Sequence, residues 1–357
     1  DTRPNVILIM TDQQRGDCLG IEDHPALLTP NIDAIAGGGS HFRRAYSTCP
    51  SCIPARRTLL SGQHPATNGM VGFNSIPEWN PKHTLPGELS KAGYQTYFVG
   101  RTMHQEPLRK RFGYDHMVLG SSHVVGDDFD QDCKHKTDHI DGFFSHGMDF
   151  NGPTARSFHM DESLHPTNWV VNESLRFLEN RDPSCPFFLT VSFYAPHPPL
   201  VPPAFYMDRY LRMDLPAPAI GEWAVAPPNG GKGLSVSSTK VDLQGEYLRS
   251  CLAGYFGLIN HIDDQIHRLL HPRSGGYDMS NTVVIFTSDH GEMLGDHHYF
   301  RKCEPYEGSA RIPFVIGGGA KLGCKRGQTF TNPVCLEDIM PTVLDVAGCE
   351  IPEGLDG

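Results

Sequence analysis

Residues 5–12, NVILIMTD, decide the fold. Five apolar residues in a row, Val6 to Met10, run straight into the polar cluster TDQQR at 11–15. Alternation would mark a strand wet on one face. An unbroken run ending in polar residues marks a parallel strand buried on both faces. Parallel neighbours need helical crossovers, and the chain supplies them. TPNIDAIAGG (29–38) reads as a helix with Thr29 as N-cap, Pro30 at the first helical position and Gly37 at the stop. HTLPGELSKAGYQTYFVGR (83–101) repeats the theme as a helix, a Gly93 stop and the strand QTYFVG. PFFLTVSFYAPH (186–197) is another buried strand. A long helix is expected over 243–270, with Leu252, Tyr255, Ile259 and Ile262 on one stripe. NTVVIFTSDHG (281–291) and RIPFVIGGG (311–319) follow as strands, and CLEDIMPTVLDVAG (335–348) as a helix. The alternation predicts one α/β domain over 1–350, its mostly parallel central sheet covered by helices on both faces.

In such sheets ligands gather outside the carboxyl ends of the strands. The polar clusters fall there: TDQQR, GRTMH (100–104), APH (195–197) and SDHGE (288–292). Two stretches resist the strand-helix rhythm. Residues 105–170 are rich in His, Asp, Gly and Phe, and 196–240 carry many prolines and PNGGKG; both read as insertions that wall a substrate pocket.

Composition sets the outer limits. Hydrophobic residues make up 39% and charged residues 20% of 357, which predicts a globular chain with a large core. No apolar run approaches the roughly 18–20 residues of a membrane span. The net charge of −11 argues against a nucleic-acid partner, whose phosphates it repels. A small anionic substrate stays open, because local cations can dominate a cleft. The ten cysteines are scattered rather than spaced as a disulfide framework, which favours free, mostly buried thiols and leans towards a reducing, cytoplasmic compartment. The first strand begins almost at once, with no basic region or cleavage site before it. A leader already trimmed leaves export to the periplasm open.

Two features carry chemistry. Asp12 and Asp289 end two different strands, with Gln13 and His290 beside them. Two carboxylates, an amide oxygen and an imidazole make a mainly hard site. It suits Ca²⁺ or Mg²⁺, with Mn²⁺ favoured if His290 ligates strongly. The bland alternative is that SDHG simply caps a loop. The second feature is CPSCIPARRTLLSG (49–62). A zinc site at Cys49 and Cys52 needs a second Cys/His pair, and GDHHYF (295–300) offers only adjacent histidines. A thioredoxin-like pair belongs at a helix start directly after a strand in a small domain, a different context.

Cys52 opens C-x-P-x-R, and with LLSG this resembles the sulfatase family, in which the motif's first cysteine becomes formylglycine. Four further segments carry the resemblance: NVILIMTDQQRGD, GYQTYFVGRTMH, APHPP, and TSDHGEMLGDHHYFRKCEPYEGSARIPFVI. Together they span Asn5 to about Gly348 and imply an alkaline-phosphatase-like fold. They also imply a sulfuric ester hydrolase whose gem-diol at residue 52 attacks sulfur, and a formylglycine-generating enzyme as partner. On this resemblance Asp12, Gln13, Asp289, His290 and residue 52 hold the metal, with Ca²⁺ first choice. Arg56 positions the diol, and His104 takes a proton as sulfate leaves. Lys302 and His197 bind the sulfate and bridging oxygen, with His197 the candidate acid for the leaving alcohol.

There are departures from the family pattern. Gln13 stands where a second aspartate is frequent, and His290 where many members have asparagine. Arg101, a candidate sulfate-binding residue, replaces a lysine, keeping the charge and changing the geometry. The family's small C-terminal antiparallel subdomain is expected to begin at about 351–357, where this sequence stops. The substrate is expected to be a carbohydrate or aryl sulfate; Trp79, Trp169 and Trp223 are compatible with a sugar sulfate and equally with an aryl or small alkyl one. Phosphonate monoester or phosphodiester hydrolysis on the same scaffold is the alternative, with a non-catalytic metal- or glycan-binding protein the third reading. Among the remaining histidines, His297 and His298 read as solvated and His64 as structural. Arg57 reads as half of an ion pair and Cys49 as a buried thiol.

Overall fold

Val6, Leu8 and Met10 enter one hydrophobic core while Ile7 and Ile9 enter another, so the first strand is buried on both faces. The computed structural model describes residues 1–357 apart from 74–77, 104, 138–141 and 272–276. Its strands are β1 (Asn5–Asp12), β2 (Gly39–Phe42), β3 (Ala45–Tyr46), β4 (Gln95–Gly100), β5 (His116–Leu119) and β6 (Phe187–Pro196). They continue as β7 (Thr282–Ser288), β8 (Arg311–Ile312), β9 (Phe314–Gly318), β10 (Gln328–Phe330) and β11 (Val334–Cys335). The main sheet has eight strands in the order β10-β2-β9-β7-β1-β6-β4-β5. At its centre β1 lies parallel to both β6 and β7. A three-stranded sheet, β11-β3-β8, sits apart.

One expected strand divides. RIPFVIGGG breaks at Pro313 into β8 and β9, which belong to different sheets. Proline has no N–H to continue a ladder, so the chain changes sheet there. Beyond the break β9 runs antiparallel to both β7 and β2, reversed against an otherwise parallel sheet.

The helices are α1 (Pro30–Gly37), α2 (Cys52–Ser61), α3 (Pro65–Asn68), α4 (Leu85–Lys91) and α5 (Asp128–Thr137). After them come α6 (Pro166–Asn180), α7 (Ala204–Leu211), α8 (Gly245–Leu270), α9 (Glu307–Ala310) and α10 (Ile339–Val346). On one face α1, α6, α7 and α8 pack on Ile7 and Ile9; α8 brings Leu252, Tyr255, Ile259 and Ile262, all buried. On the other, α2, α4 and α10 cover Val6, Leu8 and Met10 through Leu59, Leu85, Leu89, Met340 and Val343. Each such side chain contributes about 1.5–3 kcal/mol by leaving water.

Local details differ from the sequence reading. Thr29 precedes α1 but does not cap it: its hydroxyl accepts from Gly20 N (2.8 Å) and donates to Asp33 (3.0 Å). The buried Asp263 of α8 does the capping instead, accepting from Asn31 N (3.1 Å) and Ile32 N (2.8 Å). The helix expected from Cys335 starts later, after β11 and a short turn at Leu336–Asp338. All ten cysteines are free, but only Cys18, Cys52, Cys133 and Cys251 are buried; Cys49 is half-buried, and Cys303 and Cys324 are exposed. Trp79 and Trp169 belong to the cores, so only Trp223 (56% exposed) presents a ring to solvent. Arg57 lies over the Trp79 ring, 4.9 Å from its centroid. His64 pairs with Glu337 at 2.7 Å. Among the described residues no helix is long and apolar enough to cross a membrane.

Candidate active site

Because Thr11 pairs with Ser288 across β1 and β7, the next residue of each segment lies at the same edge of the sheet. Those residues are Asp12 and Asp289, both fully buried. The chain turns sharply after Asp12. Gln13 has φ +72, a left-handed conformation that a side chain disfavours. It is held by its N–H on Asp289 Oδ1 (3.1 Å) and by the Tyr255 hydroxyl donating to its carbonyl (2.7 Å). Such local strain is a mark of functional sites. Cys52 opens α2 beneath this edge, after the extended Ser51. Arg56, one turn later, shares its helix face.

The donors converge. Cys52 Sγ lies 3.3 Å from His290 Nε2 and 3.7 Å from Asp12 Oδ1. The side-chain donor atoms of Asp12, Cys52, Asp289 and His290 all lie within 4.8 Å of one another. Arg56 and Arg101 take the opposite side of the carboxylates. Arg56 donates to Asp289 Oδ2 (2.8 Å) and Asp12 Oδ2 (3.2 Å), and Arg101 Nε donates to the same Asp12 oxygen. Asp12 therefore keeps Oδ1 turned towards Cys52 and His290. The His290 ring donates through Nδ1 to Gly291 O (2.9 Å), which leaves the Nε2 lone pair facing the cluster. Two carboxylates and an imidazole lone pair around residue 52 fit a divalent cation. The Gln13 side chain lies alongside, its Oε1 accepting from Lys302 Nζ (2.7 Å).

Charge dominates this corner. Burial alone raises the Asp12 pKa, yet the cations Arg101, Arg56 and Lys302 hold it well below the usual carboxylate range. The Cys52 thiol is pushed up by burial and Asp12, but Lys302, His290 and Arg101 outweigh them and bring it to about 7. Burial, and then Lys302, push His197 well below the ordinary histidine value, so it rests neutral. Its Nδ1 donates to Pro198 O (2.8 Å), and its Nε2 accepts from Lys302 Nζ (2.9 Å). Lys302 Nζ also reaches Cys52 Sγ at 3.4 Å.

Nine of the ten candidate site residues thus meet at one place: Asp12, Gln13, Cys52, Arg56, Arg101, His197, Asp289, His290 and Lys302. His104 lies outside the described residues. Other participants had not been singled out. Buried Glu292 accepts from Gln13 Nε2 and from Leu294 N (2.8 Å), which fixes the Gln13 amide with its oxygen towards Lys302. Its place in the SDHGE segment, two residues past His290, was the one signal for Glu292 in the sequence. His123 sits beside Arg101 Nη1 (3.0 Å) and stacks on Tyr194, and nothing in its irregular segment marked it. Above the cluster opens a cavity of about 450 Å³. Its lining includes Cys52, Arg101, His197 and Lys302, with His123 and Phe150 from the first insertion and Thr239 from the second.

Comparison with known proteins agrees with this geometry. The sulfatase family model matches residues 4–349. An arylsulfatase of Clostridium perfringens is 42% identical, over 99% of this chain and 77% of its own length. A multifunctional alkaline phosphatase superfamily protein, PehA of Trinickia caryophylli, is 30% identical, over 100% of this chain and 76% of its own. Among solved structures, a phosphonate monoester hydrolase of Agrobacterium radiobacter superposes with a TM-score of 0.82 at 26% identity, covering 99% of this chain and 76% of its own. With an alkaline-phosphatase-like sheet, this set of residues at its edge and a family match over nearly its whole length, the chain belongs to the sulfatase family and is an enzyme of that family.

Proposed function

We propose that the protein hydrolyses a sulfate monoester of an aryl or carbohydrate alcohol, with residue 52, converted from cysteine to formylglycine, as nucleophile. One observation carries this reading. Cys52 heads a helix with its side chain 3.3 Å from His290 and 3.4 Å from Lys302, between the cluster of carboxylates and the Lys302–His197 ammonium–imidazole pair. Formylglycine at this position supplies a hydrated aldehyde, so that water need not attack sulfur itself. A divalent cation at Asp12, Asp289, His290 and residue 52, with Gln13 beside it and Ca²⁺ first choice, supplies Lewis-acid polarisation.

The protein's own groups do the rest. Arg56 holds both carboxylates by their Oδ2 atoms, which keeps Asp12 Oδ1 turned to residue 52 and Asp289 Oδ1 on the Gln13 and His290 N–H groups. Lys302 binds sulfate oxygens, and His197, taking a proton at Nε2 from the Lys302 ammonium it faces, passes it to the oxygen of the leaving alcohol as the S–O bond breaks. Arg101 spends Nε on Asp12 and turns Nη1 to the cavity beside His123, where it meets the substrate's sulfate end. His104 is proposed from the sequence as the group that accepts a proton when sulfate departs.

A second reading, phosphonate monoester or phosphodiester hydrolysis, is favoured by the Asp12-Gln13 and Asp289-His290 pairs and by the likeness to the Agrobacterium hydrolase. Rates separate the two. Protein coexpressed with a formylglycine-generating enzyme is expected to turn over para-nitrophenyl sulfate at least about tenfold faster, in kcat/KM, than bis(para-nitrophenyl) phosphate. The reverse order assigns the second reading.

A further inference from the structure

One cation in the cavity wall has no task in the chemistry above. Arginines around the site are otherwise paired: Arg15 with Asp17 and Asp296, Arg56 with Asp12 and Asp289, Arg101 with Asp12. Arg301 lines the same cavity as Cys52 and Lys302, yet among the described residues it makes no ion pair and its buried Nε has no hydrogen-bond partner. The backbone around it is tightly held. Its N–H donates to Glu292 Oε1, and its carbonyl accepts from Met293 N (2.7 Å). Its φ is +73, in the left-handed region. Buried Phe300 anchors the preceding position and donates from its N–H to the carbonyl of Thr239, another lining residue. The turn therefore presents Arg301 and Lys302 to one cavity as consecutive residues.

A guanidinium with an unmatched buried N–H is costly unless a ligand satisfies it. Its planar fork matches a carboxylate or sulfate with two parallel bonds, where an ammonium offers only a point charge. Glu304 is the acidic member of the lining, and it forms no ion pair with Arg301. Phe73, Phe150 and Tyr194 give the cavity aromatic walls for an organic body. We infer that Arg301 is a second anion subsite, and that the preferred substrate is an organic sulfate whose alcohol part carries a further anionic group, a carboxylate or a second sulfate. This rests on the sulfatase reading for the reacting end of the substrate.

Non-hydrolysable sulfonates test it apart from turnover. Calorimetry on the full chain with Ca²⁺ is expected to show para-sulfobenzoate binding about tenfold tighter than benzenesulfonate, and benzene-1,4-disulfonate tells a second sulfate-like group from a carboxylate. In Arg301→Gln that preference should vanish, and Arg301→Lys should restore only part of it. Equal affinities in the unsubstituted protein, or a preference that survives both substitutions, overturn the subsite. Failure of the unsubstituted, matured protein to hydrolyse para-nitrophenyl sulfate would instead remove the sulfatase reading and leave the binding result standing on its own.

Discussion

Asp289 and Lys302 occupy one small site but touch different things, and that separates their roles. Asp289 faces the cation corner, accepting from Arg56, Gln13 N and His290 N. Lys302 faces outward to Cys52, Gln13 and His197. Replacing Asp289 with asparagine is expected to slow sulfate release at least about a hundredfold and to lower bound metal, since a strong electrostatic contribution to the transition state goes with it. Lys302→Ala should cost a similar factor and leave the metal in place. Metal analysis beside sulfate-release assays checks both. A metal-free Lys302→Ala, or a fully active and metal-replete Asp289→Asn, contradicts the assignment. At this scale the sequence was most legible where a residue type announces its chemistry. Asp12, Asp289 and His290 stand at strand ends and Cys52 opens a motif, and both patterns survive without a structure. Glu292 and His123 act through geometry instead. Glu292 matters because of where the Gln13 amide points, and His123 because an irregular segment folds back over Arg101. Nothing in their residue types declares that.

The elements set these positions through close backbone approaches. Strand β4 ends at Gly100, whose φ is +106 and which leaves no room for a Cβ against the Ser192 carbonyl of β6. That same carbonyl accepts from Arg101 N (2.9 Å), and the Ser192 hydroxyl meets Arg56 at 2.9 Å. Glycine thus lets the strand end turn inward and carry Arg101 to Asp12. Gly100→Ala is expected to destabilise the fold by about 2 kcal/mol or more, from backbone strain plus displacement of the β6 carbonyl. Urea unfolding would show it as a lower midpoint with an unchanged slope, and an unchanged midpoint would refute it. Most elements were readable from apolar runs, caps and glycine stops. The reversal of β9 was not, because its central Val315 and Ile316 read alike in either direction. Pro313 marked a break without saying that the chain would change sheets. Thr29 shows the same limit: a good capping residue, taken by Gly20 and Asp33, while the cap comes from Asp263, more than two hundred residues away.

Across the whole molecule, two cores on either face of one sheet hold a buried, charge-dense edge that a protein selected for stability alone would avoid. Desolvating Asp12, Asp289, Arg56 and Arg101 together costs several kcal/mol per ion before pairing offsets it. The sheet's rigidity is what keeps those ions in place for a substrate. The cavity above them combines the cations Arg101, Arg301 and Lys302 with aromatic walls and lies between segments from both irregular insertions. The central claim is that Cys52 is the precursor of the nucleophile rather than a thiol with a role of its own. The most direct test is the mass of the proteolytic peptide containing Cys52, from protein made with and without a formylglycine-generating enzyme. With that enzyme the peptide should lose about 18 Da relative to the unmodified form, as thiol becomes aldehyde. An unshifted peptide in a preparation that nonetheless releases sulfate at full rate would contradict the claim.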